Sequence, residues 1–269
     1  MGIGAGFIFI IGLFTGSFLN VLVDRLPRGE SIIKGRSHCE KCKENLRWYD
    51  LIPLLSFIFL KGKCRYCKAS LSFYYPTVEL ATGTLFALTA FFVFHDLQFP
   101  ISSQFSIDFQ LLASLTYYLF MTSSLIVVFF ADLKYGIIPD KIIFPAILVS
   151  VLYLLTISHK LLAINLFSAV GACLFFLLLF LITRGKGMGF GDVKFAFLMG
   201  LILGLPNIIV SLYIAFLTGA VIGCILIVWR KKKLKGAVIP FGPFLVLGTF
   251  AALFWGEKIL QILKLDSLL

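Results

Sequence analysis

Leu162–Thr183 reads LAINLFSAVGACLFFLLLFLIT and runs directly into RGKGMGFGDVK over Arg184–Lys194. The first part carries no charged side chain and exceeds the roughly 20 residues that a helix needs to cross a bilayer, so it predicts a membrane span. The second part is basic and glycine-rich, and it delivers Asp192 to the edge of the apolar layer. A carboxylate is costly to ionise there and marks a site more often than an ornament. Gly189 and Gly191 beside it let another chain approach the backbone closely. One carboxylate alone does little chemistry, which raises the question of a partner on the same face.

The 269 residues are 60% hydrophobic, and the mean hydropathy is +1.01. Burial in one water-soluble core is excluded, and an all-α polytopic membrane protein is expected. The net charge of +11 falls in clusters between apolar runs, a pattern that fits the positive-inside rule and contact with membrane lipid, with no nucleic-acid partner. Of the six cysteines, Cys173 and Cys224 lie inside apolar runs and read as small hydrophobes, while four are paired in one polar loop. No internal repeat is expected.

The first apolar run, Gly4–Val23, has no basic residue ahead of it and no cleavage site after it, so it should remain as a membrane helix. Asn20 near its end needs a polar partner, either across a helix contact or in a cofactor site. From Asp24 to Tyr75 the chain is polar and rich in Lys and Arg, hence cytoplasmic. Inside this loop stand Cys39-Glu40-Lys41-Cys42 and Cys64-Arg65-Tyr66-Cys67, two pairs spaced to bring four thiolates onto one tetrahedral zinc. Such a closed site is structural, and His38 beside it is a flanking polar residue; the competing reading is a pair of disulfides or a redox couple. The apolar piece Leu51–Leu60 is too short to span and should pack on the zinc module or lie at the interface.

Tyr74-Tyr75-Pro76-Thr77-Val78-Glu79 opens a helix running to Phe94, with Glu79 placed either to cap it or to serve a site. His95–Gln110 has no Lys or Arg and should face away from the cytoplasm. Further runs over Leu111–Ala131, Ile142–Ile157, Leu162–Thr183, Val193–Leu203, Asn207–Trp229 and Ile239–Trp255 bring the count to about eight crossings, with the amino terminus outside. Lys134, Lys141, Arg184, Lys186 and the cluster Arg230, Lys231, Lys232, Lys233 and Lys235 fall on the cytoplasmic side; Lys160, Lys258 and Lys264 are exceptions. The chain thus divides into a first helix (1–23), a cysteine loop (24–75) and a helical core (76–269).

Under this topology Asp132 ends one helix and Asp192 starts another, both at the cytoplasmic boundary. Two close carboxylates share a proton, so the pair can activate water while donating to a peptide carbonyl, the chemistry of aspartic proteases. His38, His95 and His159 form no serine or cysteine relay. The competing readings are helix caps or ion pairs with Lys134 and Lys194, a proton-coupled transporter, or a zinc-stapled scaffold. Asp140, after Pro139, can cap the next helix and is kept as a supporting residue.

Gly16-Ser17-Phe18-Leu19-Asn20-Val21 with Arg25-Leu26-Pro27, the two C-x-x-C pairs, Tyr75-Pro76 with Glu79, Asp132 with Ile138-Pro139-Asp140, and Gly189-Phe190-Gly191-Asp192-Val193-Lys194 together resemble the bacterial type IV prepilin peptidases, G-x-G-D membrane aspartic proteases of the bacterial inner membrane. The resemblance runs from the first helix to the last. It implies cleavage of the basic leader from prepilins or pseudopilins at the cytoplasmic face, and methylation of the new amino terminus from S-adenosylmethionine. Residue by residue it makes Asp132 and Asp192 catalytic and Cys39, Cys42, Cys64 and Cys67 the Zn2+ ligands. Gly189, Gly191, Lys194 and Asp140 become supporting residues, with the Pro240-Phe241-Gly242-Pro243 turn placed near the active site through Pro240, Gly242 and Pro243. No dinucleotide-binding glycine fingerprint is present, and Asn20 and Glu79 are the candidates for the cofactor.

Overall fold

The computed structural model describes residues 2–32, 35–96, 104–185, 187–229 and 240–262, and among these the chain is helical with only two isolated bridges, His38 to Asn45 and Lys63 to Ser70. A backbone without water must satisfy its N–H and C=O groups within its own segment, and long apolar runs do so as helices. These are α1 (Gly2–Arg25), α3 (Tyr74–Asp96), α4 (Gln104–Tyr135), α5 (Asp140–Ile157), α6 (His159–Thr183), α7 (Phe190–Leu203), α8 (Asn207–Trp229) and α9 (Gly242–Ile262), with a short α2 (Leu55–Phe59) in the polar loop. Seven of them are long and apolar enough to cross a membrane.

The exception is α7, the crossing expected over Val193–Leu203. It has 14 residues, about 21 Å at 1.5 Å per residue against a hydrocarbon core of about 30 Å. It is shorter than that layer, and protein buries it nearly all round: from Val193 to Leu203 only Lys194 and Phe197 keep intermediate exposure. A helix sheltered by α5, α6, α8 and α9 does not have to match the lipid. α4 is longer than the expected Leu111–Ala131 run, and α3 extends to Asp96, so both enter the segment read as an outer loop. Residues 97–103, Lys186, Lys264 and the basic cluster Arg230, Lys231, Lys232, Lys233 and Lys235 lie outside the described residues.

Contacts gather the chain into two compact units, Met1–Val127 and Val128–Leu269. In the first, α1 lies on α3 with almost no spacing: a Cβ on Gly12 would come within 2.7 Å of the Gly83 Cα, and one on Gly16 within 2.7 Å of the Glu79 Cα. Small residues permit this approach and dispersion holds it. The hydroxyls of Thr89 and Thr122 meet at 3.0 Å between α3 and α4.

In the second unit α6 and α7 form the same kind of pair. A Cβ on Gly200 would stand 2.3 Å from the Ala169 Cα, and the Asn165 amide donates to the Leu201 carbonyl at 2.8 Å. That carbonyl is one of the last in α7 and has no partner within the helix, so Asn165 closes the end of α7 from α6. Gly248 of α9 lies equally close on the Ser211 carbonyl of α8.

Candidate active site and metal centre

α4 stops just after Asp132. Gly136 takes the left-handed conformation (φ 65°) and its N–H bonds the Asp132 carbonyl at 2.8 Å, a glycine stop that turns the chain through Ile137–Pro139 into α5. The Asp132 side chain is buried, and its Oδ2 accepts the N–H of Gly242 at 2.8 Å. Gly242 is the first residue of α9, whose opening N–H groups have no partner within the helix and favour an anion. Pro243 is buried next to it and brings no N–H of its own, while Pro240 precedes the turn half-buried. A Cβ on Gly242 would sit 2.6 Å from Asp132 Oδ2, so only glycine leaves the carboxylate where it is.

Asp192 is built the same way. It lies in the first turn of α7, buried, with Oδ2 accepting the Gly189 N–H at 3.1 Å. Gly191 fits against Ile138, where a Cβ would come within 3.1 Å of the Ile138 Cβ. This joins the G-x-G-D turn to the stretch that follows Asp132. The two predicted carboxylates thus lie in one unit, on turns that touch each other, near enough for the Asp132 charge to bear on Asp192. Among the described residues neither Oδ1 has a hydrogen bond.

Asp140 stays out of this pair. Its side chain is half exposed and pairs with Lys194, whose Nζ also stands over the rings of Phe190 (5.4 Å) and Phe144 (5.9 Å). Lys134 stands over Tyr135 at 5.2 Å. Both aspartates therefore do cap helices, through backbone N–H groups, and Lys194 is engaged by Asp140.

The first unit holds the other predicted residues. The four cysteine sulfurs all lie within 4.8 Å of one another, and Cys39 Sγ to Cys67 Sγ is 3.9 Å. Metal–sulfur bonds of about 2.3 Å give a tetrahedron with edges of about 3.8 Å, so the four thiolates fit a single metal ion. All four are free cysteines, with no disulfide among them. The backbone N–H of Cys42 faces the Cys39 sulfur and holds its pKa down to about 7 despite burial, which favours the metal-binding thiolate.

The two turns are copies. The Cys39 N–H bonds the Glu44 carbonyl and Lys43 adopts φ 59°; the Cys64 N–H bonds the Ala69 carbonyl and Lys68 adopts φ 58°. The signal is the repeat C-x-x-C-K-x-x-L at Cys39–Leu46 and Cys64–Leu71, which the expectation of no internal repeat missed. Asp50 was missed as well. Its side chain is 2% exposed and accepts from Arg65 Nε (2.7 Å), the Tyr66 hydroxyl (3.3 Å) and the Arg47 N–H (3.2 Å), tying the turn at Trp48–Leu51 to the second knuckle. Asp50→Ala is expected to speed amide exchange across residues 37–71 roughly tenfold, read by mass spectrometry, because it strands the Arg65 guanidinium, the Tyr66 hydroxyl and the Arg47 N–H together.

Asn20 donates from Nδ2 to the Tyr75 carbonyl at 3.2 Å, joining α1 to α3. Glu79 caps no turn of its own helix: its Oε2 accepts the N–H of Leu54 at 2.9 Å, the residue leading into α2. Leu54 has φ 57° there, and Glu79 holds that turn down. The apolar piece Leu51–Leu60 turns one side chain inward and others outward. Phe57 packs on Phe73 within the module (5.1 Å), while Ile58 and Phe59 remain exposed.

Residues 10–93 match the family described as Bacterial Peptidase A24 N-terminal domain, and residues 119–224 match the Type IV leader peptidase family. A protein of Bacillus subtilis named Prepilin leader peptidase/N-methyltransferase is 32% identical, over 94% of this chain and 95% of its own. Proteins with the same name from Stutzerimonas stutzeri and Pseudomonas aeruginosa are each 29% identical, over 93% of this chain and 90% of theirs. No solved structure matches the chain.

Proposed function

We propose, given that this chain belongs to the type IV leader peptidase family, that its two buried aspartates cut the basic leader from prepilins or pseudopilins at the cytoplasmic face of the bacterial inner membrane. The observation behind this reading is that Asp132 and Asp192 each give one oxygen to a helix N-terminus and keep the other oxygen unbonded, within reach of each other's charge. Two such carboxylates hold one proton between them. The ionised member takes a proton from water as the water oxygen attacks the scissile carbonyl carbon, and the protonated member hands its proton to the carbonyl oxygen. Collapse of the tetrahedral intermediate then breaks the C–N bond, and the amine leaves with a proton returned from the pair.

The positive-inside rule supports a cytoplasmic position for the site, since Lys134, Lys141 and Arg184 stand near the helix ends that carry the two aspartates. The basic loop would repel a basic leader, so its charge is better explained by topology and by anionic lipid than by substrate attraction. Cys39, Cys42, Cys64 and Cys67 would hold zinc with no open position, a structural role. The relatives' name includes N-methyltransferase, and this chain is read as methylating the new amino terminus; S-adenosylmethionine would supply the methyl group. The buried, unpartnered Oδ1 of Asn20 on the same helix contact as Glu79 offers polar groups for that chemistry.

The test is incubation of the detergent-solubilised protein with a model prepilin and labelled S-adenosylmethionine, followed by mass spectrometry of the new amino terminus. A trimmed, singly methylated product is expected. An intact prepilin, or solute flux into liposomes without cleavage, would remove the peptidase reading in favour of a carrier.

A further inference from the structure

We propose that Asn20 and Glu79 together form a receptor for a primary ammonium group. The inference rests on the methyl-transfer reading and names the ligand chemistry of that step. Both side chains lie in the contact between α1 and α3, 6% and 8% exposed. A helical side chain leans toward its own N-terminus, so the Glu79 carboxylate stands over the preceding turn, that of Tyr75. Asn20 bonds the carbonyl of that same residue, and Gly16, one turn earlier on α1, lies against the Glu79 backbone.

The polar inventory there is one-sided. Asn20 gives one amide N–H to the Tyr75 carbonyl, and its Oδ1 is buried without any hydrogen bond. Glu79 accepts from the Leu54 N–H, with Ser17 within hydrogen-bonding reach. Among the described residues no Lys, Arg or His pairs with it. A buried carboxylate without a countercharge and a buried carbonyl oxygen without a donor are each costly, and one ligand relieves both if it brings a positive charge and more than one N–H. A primary ammonium does this, and its bonds to a carboxylate are of the stronger, charge-assisted kind.

Gly16 makes the arrangement possible, because any side chain there would push α1 off the Glu79 backbone. Two reactants of the methyl transfer carry such a group: the freed amino terminus of the trimmed substrate, and the amino-acid end of S-adenosylmethionine.

Equilibrium dialysis on the full detergent-solubilised chain separates these sources. One arm compares a peptide from the start of a mature pilin with its N-acetylated form; the other compares S-adenosylmethionine with its analogue lacking the amino group. The wild type is expected to prefer the free amine about tenfold or more in one arm. That preference should collapse toward unity in Glu79→Gln, which keeps an acceptor for Leu54, and in Asn20→Leu, which removes the unpartnered oxygen. The arm in which it collapses identifies the source. Equal weakening of both ligands in a pair would mean a structural role only and overturn the proposal, as would a preference that survives both substitutions. The measurement uses no cleavage, so failure of the peptidase reading would appear separately, as intact prepilin with wild-type protein.

Discussion

Asp132→Asn and Asp192→Asn are each expected to lower prepilin cleavage about a thousandfold or more, within the range attributed to positioned acids and bases. The measurement is single-turnover cleavage in detergent, with helical content by circular dichroism as the check on folding. An amide keeps an oxygen to accept the Gly242 or Gly189 N–H, so the turns should survive. What is lost is the proton the pair shares, and with it both the activation of water and the protonation of the carbonyl. Because the two act as one unit, the double variant should be scarcely worse than either single one. Near-wild-type cleavage by either variant would end the dyad reading.

Gly242→Ala should fold and yet cleave about a hundredfold more slowly, the scale of a displacement near one ångström in a catalytic group. The atom that an added Cβ meets, at 2.6 Å, is Asp132 Oδ2. A carboxylate can swing aside where backbone cannot, so the strain is relieved by moving the proposed catalytic group rather than by unfolding α9. Substitution at Gly200 is the contrast, since a Cβ there meets the backbone of Ala169 at 2.3 Å and must part α6 from α7. Unchanged turnover in Gly242→Ala would mean that the position of Asp132 is not critical. A matched loss of melting temperature would assign the glycine to packing.

How far the sequence reaches can be judged at these positions. Uninterrupted apolar runs name the spans because lipid leaves the backbone no alternative, and the cysteine spacing names a metal site because four thiolates must converge. Topology alone put Asp132 and Asp192 on one face. The contact between Asp132 and Gly242 joins residues 110 apart in the chain, and hydropathy carries no record of such a pairing. The same holds for Glu79, read as a cap or a site residue and found holding the turn into α2. Apolar character names α7 as a crossing but does not distinguish a helix that meets lipid from one walled in by other helices.

The donors that hold the two acids belong to the main chain. No side chain exists there for a mutation to delete, and of single substitutions only proline at 189 or 242 removes an N–H. The pair is thereby insulated from the loss of polar neighbours and exposed, at Gly242, to the gain of a single methyl group.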